Sequence, residues 1–291
     1  MNDQLIRAIS GETNVRALAC LTTYTTRTAC DRHQTRPTAS VALSRALTGG
    51  VLLGALLKGR ERVALKFEGN GPLRKIVVEA DALCRVHGYV GDPGVDLPLA
   101  DGQFDIASAL GRAGLLTVTK DLLLKEPYRG VVNLVSSEIG EDLAYYLTES
   151  EQIPSAVGLT AIPDALGRPI VAGGFLIQAL PGASENILDL ITGRIRDLPP
   201  LGRLFLSGIT PKELLDRIFS DIAYEVLGHQ EVRFQCACSR DRIERALITL
   251  GQKETEELAG REDRTVITCE FCREAYEFTP EQLRRLISER H

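Results

Sequence analysis

Cys236-Ala237-Cys238 and Cys269-Glu270-Phe271-Cys272 decide how this chain is read. Thirty residues separate the two pairs, and the other three cysteines, Cys20, Cys30 and Cys84, lie far upstream. Four thiolates brought together make a closed, tetrahedral Zn2+ site. Cysteines three apart on a turn grip a metal from one side, and cysteines two apart in an extended segment point to the same face. One Zn2+ held by Cys236, Cys238, Cys269 and Cys272 is therefore expected.

The sequence around these pairs offers little else to hold it together. Ser239 caps a predicted short helix with Ile243, Ala246, Leu247 and Leu250 inward, ended by Gly251. Thr279-Pro280-Glu281-Gln282 opens a last helix with Leu283, Leu286 and Ile287 on one face. Residues 232–291, about sixty residues, are marginal for burying a core of their own. A structural zinc contributes roughly 10–16 kcal/mol to the folding of such a unit. The segment is expected to fold with zinc and to unfold without it.

Upstream, residues 183–231 read as a helical linker. Ile187, Leu188, Ile191 and Ile195 recur at helical spacing until Pro199-Pro200 stops the run. Thr210-Pro211-Lys212-Glu213 is a capping box with proline at the first helical position. Behind it Leu214, Leu215, Ile218, Phe219, Ile222 and Val226 form an apolar stripe ending at Gly228. Such a stripe must be covered, and the cysteine-bearing segment is the expected cover.

Residues 1–182 read as an α+β domain with antiparallel-rich sheets and packed helices. A β-like, Thr-rich segment runs from Val15 to Thr26, and a helix rich in small residues begins at Pro37. Period-two strands follow at Val63–Phe67, Leu73–Val78 and Leu83–Tyr89, the first two joined by the turn Gly69-Asn70-Gly71-Pro72. Further strands are predicted at Leu115–Val118, Gly130–Val135 and Ile170–Leu180, and a helix at Glu141–Leu147.

Composition narrows the function classes. A 44% hydrophobic fraction with 25% charge suits a globular protein, and the absence of Trp leaves the core to Leu, Ile, Val and Ala. A net charge of −5 argues against nucleic acid and anionic membranes as partners. Within residues 232–291, eleven Lys and Arg stand against twelve Asp and Glu, so the cysteine segment has no basic footprint either. The apolar stretch Val41–Leu57 is interrupted by Ser44, Arg45 and Thr48 and reads as a buried helix rather than a membrane span. The N-terminal residues lack a secretory pattern, and seven cysteines then imply a reducing compartment, the cytoplasm.

A closed site of four cysteines is by default structural. Three features compete with that reading. Arg240, Arg242, Arg245 and Arg273 lie close in sequence and favour thiolate, the form oxidants attack. An extended Cys-x-Cys spans roughly 6.6 Å between Cα atoms, near the limit of about 6.8 Å for a disulfide, so joining Cys236 to Cys238 bends the backbone. Loss of the segment's fold would also uncover the apolar stripe, and an exposed apolar patch binds protein. A catalytic zinc needs an open position with His or carboxylate ligands, and His33, His87, His229 and His291 show no such spacing. Cys20, Cys30 and Cys84 read as inert thiols. No phosphate-binding glycine loop occurs, so an ATP-driven mechanism has nothing to rest on. A constitutive zinc-stapled binding module and a thiol oxidoreductase using Cys269 and Cys272 remain as alternatives.

Phe234-Gln235-Cys236-Ala237-Cys238-Ser239-Arg240, with Cys269-Glu270-Phe271-Cys272 followed by Tyr276 and Phe278, resembles the thirty-three-kilodalton redox-regulated heat-shock chaperone family. Ser150–Ser155, Ala172–Gln178, Glu68–Pro72 and His33–Leu47 resemble it too, in order, so the likeness covers nearly the whole chain. The resemblance implies a stress-response holdase, not an enzyme: an ATP-independent chaperone, inactive when reduced and zinc-bound. It implies that oxidants join Cys236 to Cys238 and Cys269 to Cys272, expel zinc and unfold the C-terminal domain and linker. The active form is then a homodimer that binds unfolding client proteins. CxxC on a turn already brings its Cα atoms within about 7 Å, so Cys269–Cys272 is expected to form first.

Overall fold

The apolar stretch that opens at Val41 lies within helix α2 (Pro37–Gly54), whose residues are almost all buried. No helix among the described residues is long and apolar enough to cross a membrane. Proline at its first turn presets φ, and Arg36 before it is extended, as the residue preceding a proline prefers. Small residues along α2 let two sheets close upon it. A Cβ on Gly50 would meet Val78 at 2.6 Å, and one on Gly49 would meet Leu143 at 2.4 Å.

The computed structural model describes residues 2–250 and 264–288, in two units, Met1–Gln235 and Cys236–His291. In the first unit, β1 (Gln4–Ser10) and β2 (Val15–Leu21) precede α1 (Thr23–His33) and α2. There follow β3 (Arg62–Gly69), β4 (Lys75–Asp81), β5 (Arg85–Val90), α3 (Ile106–Leu110), β6 (Gly114–Asp121), β7 (Tyr128–Asn133) and α4 (Gly140–Glu149). Next come β8 (Ser155–Pro163), β9 (Pro169–Ala179), α5 (Glu185–Asp197), α6 (Leu201–Leu206), α7 (Pro211–Phe219), β10 (Glu225–Glu231) and β11 (Arg233–Phe234). One sheet has the order β10-β1-β2-β9-β8 and is antiparallel throughout. The other runs β11-β5-β4-β3-β6-β7, with β11 parallel to β5 and the remaining pairs antiparallel. This is the α+β, antiparallel-rich architecture expected.

The first sheet is apolar on both faces. Leu5, Leu18, Cys20 and Leu176 point into the core shared with α2 and the second sheet. Ile6, Ala8, Ala17, Ala19, Phe175 and Ile177 alternate with them and point the other way. On that outer face lie α5, α6 and α7, contributing Ile191, Leu204, Phe205, Leu214, Leu215, Ile218 and Phe219, all buried. The capping box that starts α7 is present: Glu213 N donates to Thr210 Oγ1 at 3.2 Å and Thr210 N to Glu213 Oε2 at 2.8 Å.

Three expectations change here. The stripe from Leu214 to Phe219, expected to be covered by the cysteine-bearing segment, finds its cover within the first unit, on the outer face of the first sheet. Its helix also stops at Phe219, so Ile222 lies beyond it, half-buried, and Val226 belongs to β10, opposite Ala8 of β1. The physical reason is that residues four apart also fit a period of two, and β1 has a free edge to offer. At the other end, Thr23–Thr26 are helical rather than β-like, because the Asp3 carboxylate accepts Tyr24 N and Thr25 N at 3.1 and 2.6 Å and caps α1 from a distant part of the chain. Strands β1 and β8 and helix α3 add to the predicted elements, and none carries a strong local pattern.

The turn after β3 is a close approach as well as a hairpin. A Cβ on Gly69 would lie 2.1 Å from the Leu110 carbonyl oxygen, which is backbone and cannot rotate away. Gly69→Ala is expected to destabilise the first unit by about 1–3 kcal/mol. Denaturant titration followed by circular dichroism measures this, and an unchanged midpoint would show that α3 yields freely.

Candidate metal centre

The second unit is held around four sulfurs. Cys236 and Cys238 lie in the irregular segment before α8 (Arg240–Leu250), and Ser239 Oγ accepts Arg242 N at 3.3 Å to start that helix. Arg242 Nη1 donates to the Ala237 carbonyl at 2.9 Å, fixing the bend between the two cysteines. Cys269 and Cys272 occupy the turn joining β12 (Thr265–Thr268) to β13 (Ala275–Phe278). That turn closes through Cys269 N to Glu274 O and Arg273 N to Cys269 O, both 2.9 Å, with Arg273 at φ 61°.

The Sγ atoms of all four cysteines lie within 4.8 Å of one another. Cys236 faces Cys269 at 3.9 Å and Cys238 faces Cys272 at 3.3 Å. A tetrahedron with metal–sulfur bonds of about 2.3 Å has edges of about 3.8 Å, so the cluster can hold a metal ion. It is the one such group of His, Cys, Asp and Glu among the described residues. His33 is buried with its ring stacked near Tyr89, His87 lies by Glu79, and His229 is in β10. His291 lies outside the described residues.

Crowding sulfurs in a half-buried place has an electrostatic cost. Burial pushes the Cys236 thiol up, reinforced by the charges of Cys269 and Cys272. Cys272 is pushed up to about 12, again chiefly by burial. Burial also acts upward on Cys238, but the Tyr276 hydroxyl and the neighbouring sulfurs donate to it and leave it below the ordinary thiol value. A cation among the sulfurs would favour the thiolate forms of Cys236 and Cys272 that burial opposes. The arginines contribute differently from the expectation: Arg240 stacks over Phe278 at 4.3 Å and binds Glu244, Gln282 and the Glu277 carbonyl, while Arg242 takes Ala237.

Beside the sulfurs is a small core of Leu247, Phe278, Leu283 and Leu286, with Ile243, Ile248, Ile267 and Tyr276 packed on it. Helix α9 (Pro280–Ser288) is started by Gln282 N to Thr279 Oγ1 at 3.3 Å and Thr279 N to Gln282 Oε1 at 3.0 Å. Ala246 is exposed rather than inward, and the side chains of Leu250 and Ile287, with Gly251, lie outside the described residues. Among the described residues this cluster has four buried apolar side chains. The hydroxyl of Tyr276 donates to Cys238 Sγ at 3.1 Å, a contact with the site that the cysteine spacing does not reveal. A tyrosine on a half-apolar strand beside the cysteines is the available signal.

The sequence profile of the Hsp33 protein family matches residues 3–279. The chain belongs to the Hsp33 family. A 33 kDa chaperonin of Geobacter sulfurreducens is 54% identical, covering 98% of this chain and 95% of the relative. That of Citrifermentans bemidjiense is 52% identical, covering 99% and 98%. The crystal structure of the 33 kDa chaperonin (heat shock protein 33 homolog) from Thermotoga maritima matches at a TM-score of 0.92 and 35% identity, over 99% of both chains. These names describe chaperones rather than enzymes.

The remaining cysteines of this Hsp33-family chain are sealed in the first unit. Cys20, Cys30 and Cys84 are buried, and burial pushes all three thiols up, Cys84 to about 11. At pH 8 about one Cys84 in a thousand is then thiolate. Alkylation of the native protein after chelation is expected to label Cys236, Cys238, Cys269 and Cys272 and to spare these three, as peptide mass mapping would record. Labelling of Cys20 at the rate of Cys238 would refute the burial argument.

Proposed function

We propose that this protein is an ATP-independent holdase switched on by oxidation. The observation that carries the reading is the double burial on the first sheet. The outer face of β1, β2 and β9 and the apolar sides of α5–α7 hide one another, and the chain continues through β10 and β11 directly to Cys236. Both surfaces are apolar, the character that binds unfolded chains, and each is covered by the other while the helices are docked.

Zn2+ is the metal the donor set favours, being soft enough for four thiolates and content with a closed tetrahedron. Bound by Cys236, Cys238, Cys269 and Cys272 it would offset half of the thiolate charge, leaving a net −2, and would cross-link the two arms of the small unit. Cys236, Cys238, Cys269 and Cys272 are both ligands and sensors. An oxidant such as hydrogen peroxide takes two electrons from each pair, forming Cys236–Cys238 and Cys269–Cys272 and reducing two peroxides to water. A disulfide needs its sulfurs at about 2.05 Å, so neither bond fits inside the metal-bound tetrahedron. Loss of a metal held by these sulfurs would leave the small unit without its cross-link. In this reading α5–α7 and β10, the strand that leads through β11 to Cys236, then undock from the first sheet. The bared faces bind unfolding client proteins, and two copies pair by the same surfaces. Leu214, Leu215, Ile218, Phe219, Ile222 and Val226 are then client-contacting residues, together with the sheet face they leave. A cytoplasmic setting keeps the resting state reduced.

Light scattering from a thermally unfolding client separates this from a constitutive zinc-stapled module. Suppression by the peroxide-treated protein alone is expected, with the reduced, zinc-loaded protein inert; equal suppression by both would favour the staple. Timed alkylation with mass mapping is expected to show Cys269–Cys272 before Cys236–Cys238, and the reverse order would sink that sequence of events.

A further inference from the structure

Tyr276 reaches the sulfur cluster from the side of the small core. It sits in β13 opposite Ile267 of β12, and its ring packs on the cluster of Leu247, Phe278, Leu283 and Leu286. Phe278, two residues on, shares its face of the strand and is buried under Arg240. Anchored in this way, the phenol hydroxyl donates to Cys238 Sγ at 3.1 Å. The bond joins the two arms of the site, one carrying Cys236 and Cys238, the other Cys269 and Cys272.

We propose that Tyr276 is a positioning residue that shields Cys238, making it the last of the four sulfurs to be oxidised and the metal harder to lose. This rests on the redox reading of the site given above. With every sulfur already a thiolate on the metal, the hydrogen bond acts on nucleophilicity. A lone pair engaged by O–H is less free to attack an oxidant, and a charge-assisted bond to a metal ligand strengthens the site. Oxidation by hydrogen peroxide begins when a thiolate sulfur attacks one oxygen: the S–O bond forms, the O–O bond breaks, two electrons pass to the peroxide, and hydroxide leaves to become water. A second thiolate then attacks the sulfenic sulfur, forming S–S as S–O breaks and a further hydroxide leaves. Tyr276 biases the first step away from Cys238.

The test uses the full chain, reduced and zinc-loaded, as wild type and Tyr276→Phe, which keeps the ring and its packing. Zinc affinity, by competition with a chromogenic chelator, is expected to fall about 10- to 100-fold in the variant, the usual loss when a partner of a metal ligand is removed. Under limiting peroxide with trapping of sulfenic acid, wild type should label Cys238 last, and the variant should label it alongside Cys269. In Co2+-loaded protein the sulfur-to-metal charge-transfer band should move to lower energy in the variant. Arg240→Ala, which loosens the same arm without touching sulfur, should leave the labelling order unchanged. An unchanged order and band in Tyr276→Phe would overturn the proposal, as would early labelling of Cys238 in wild type. Neither readout depends on chaperone activity, so failure of the holdase reading would be seen separately, in client scattering.

Discussion

A β-sheet with two apolar faces must be covered twice, and this requirement organises the large unit. Strict alternation along β1, β2 and β9 sends Leu5, Leu18, Cys20 and Leu176 one way and Ile6, Ala17, Ala19 and Phe175 the other. Helix α2 and the second sheet meet one face permanently, since α2 is buried on all sides and cannot leave without dismantling the core. The other face is met by three short helices whose opposite sides are open to water. The two covers differ in how much else they hold. Removing α5–α7 costs the sheet one neighbour and leaves the core around α2 whole.

The small unit depends on its sulfurs for a related reason. Among the described residues its apolar cluster has four buried side chains, and its surface ion pairs add little. The sulfur cluster, placed to hold a metal ion, is the feature among the described residues that ties the Cys236–Cys238 arm to the Cys269–Cys272 arm.

Much of this is legible in the sequence where the determinants are local. The cysteine spacing, the capping box at Thr210–Glu213, the buried helix after Pro37 and the turn at Gly69–Pro72 each rest on residues a few positions apart. What is not legible is set by distant partners. Asp3 caps α1 from outside it, and β10 is a strand because β1 has an edge to fill. The apolar stripe of α7 announces that it needs a cover; its sequence does not say which surface supplies it. Tyr276 is visible as part of a likeness, but the aim of its hydroxyl at one sulfur of four is a property of the β12–β13 register.

The pairing of β1 with β10 joins the first strand made to one that begins at residue 225. During synthesis, β1 and β2 form their hairpin early, while the segments that cover its outer face and edge are still to be translated. At about 5–20 residues per second the interval lasts roughly 10–40 s. Throughout it the nascent chain carries a bare apolar sheet, the same surface that α5–α7 later conceal. A newly made copy therefore presents that apolar surface to its neighbours until α5–α7 and β10 have emerged and docked.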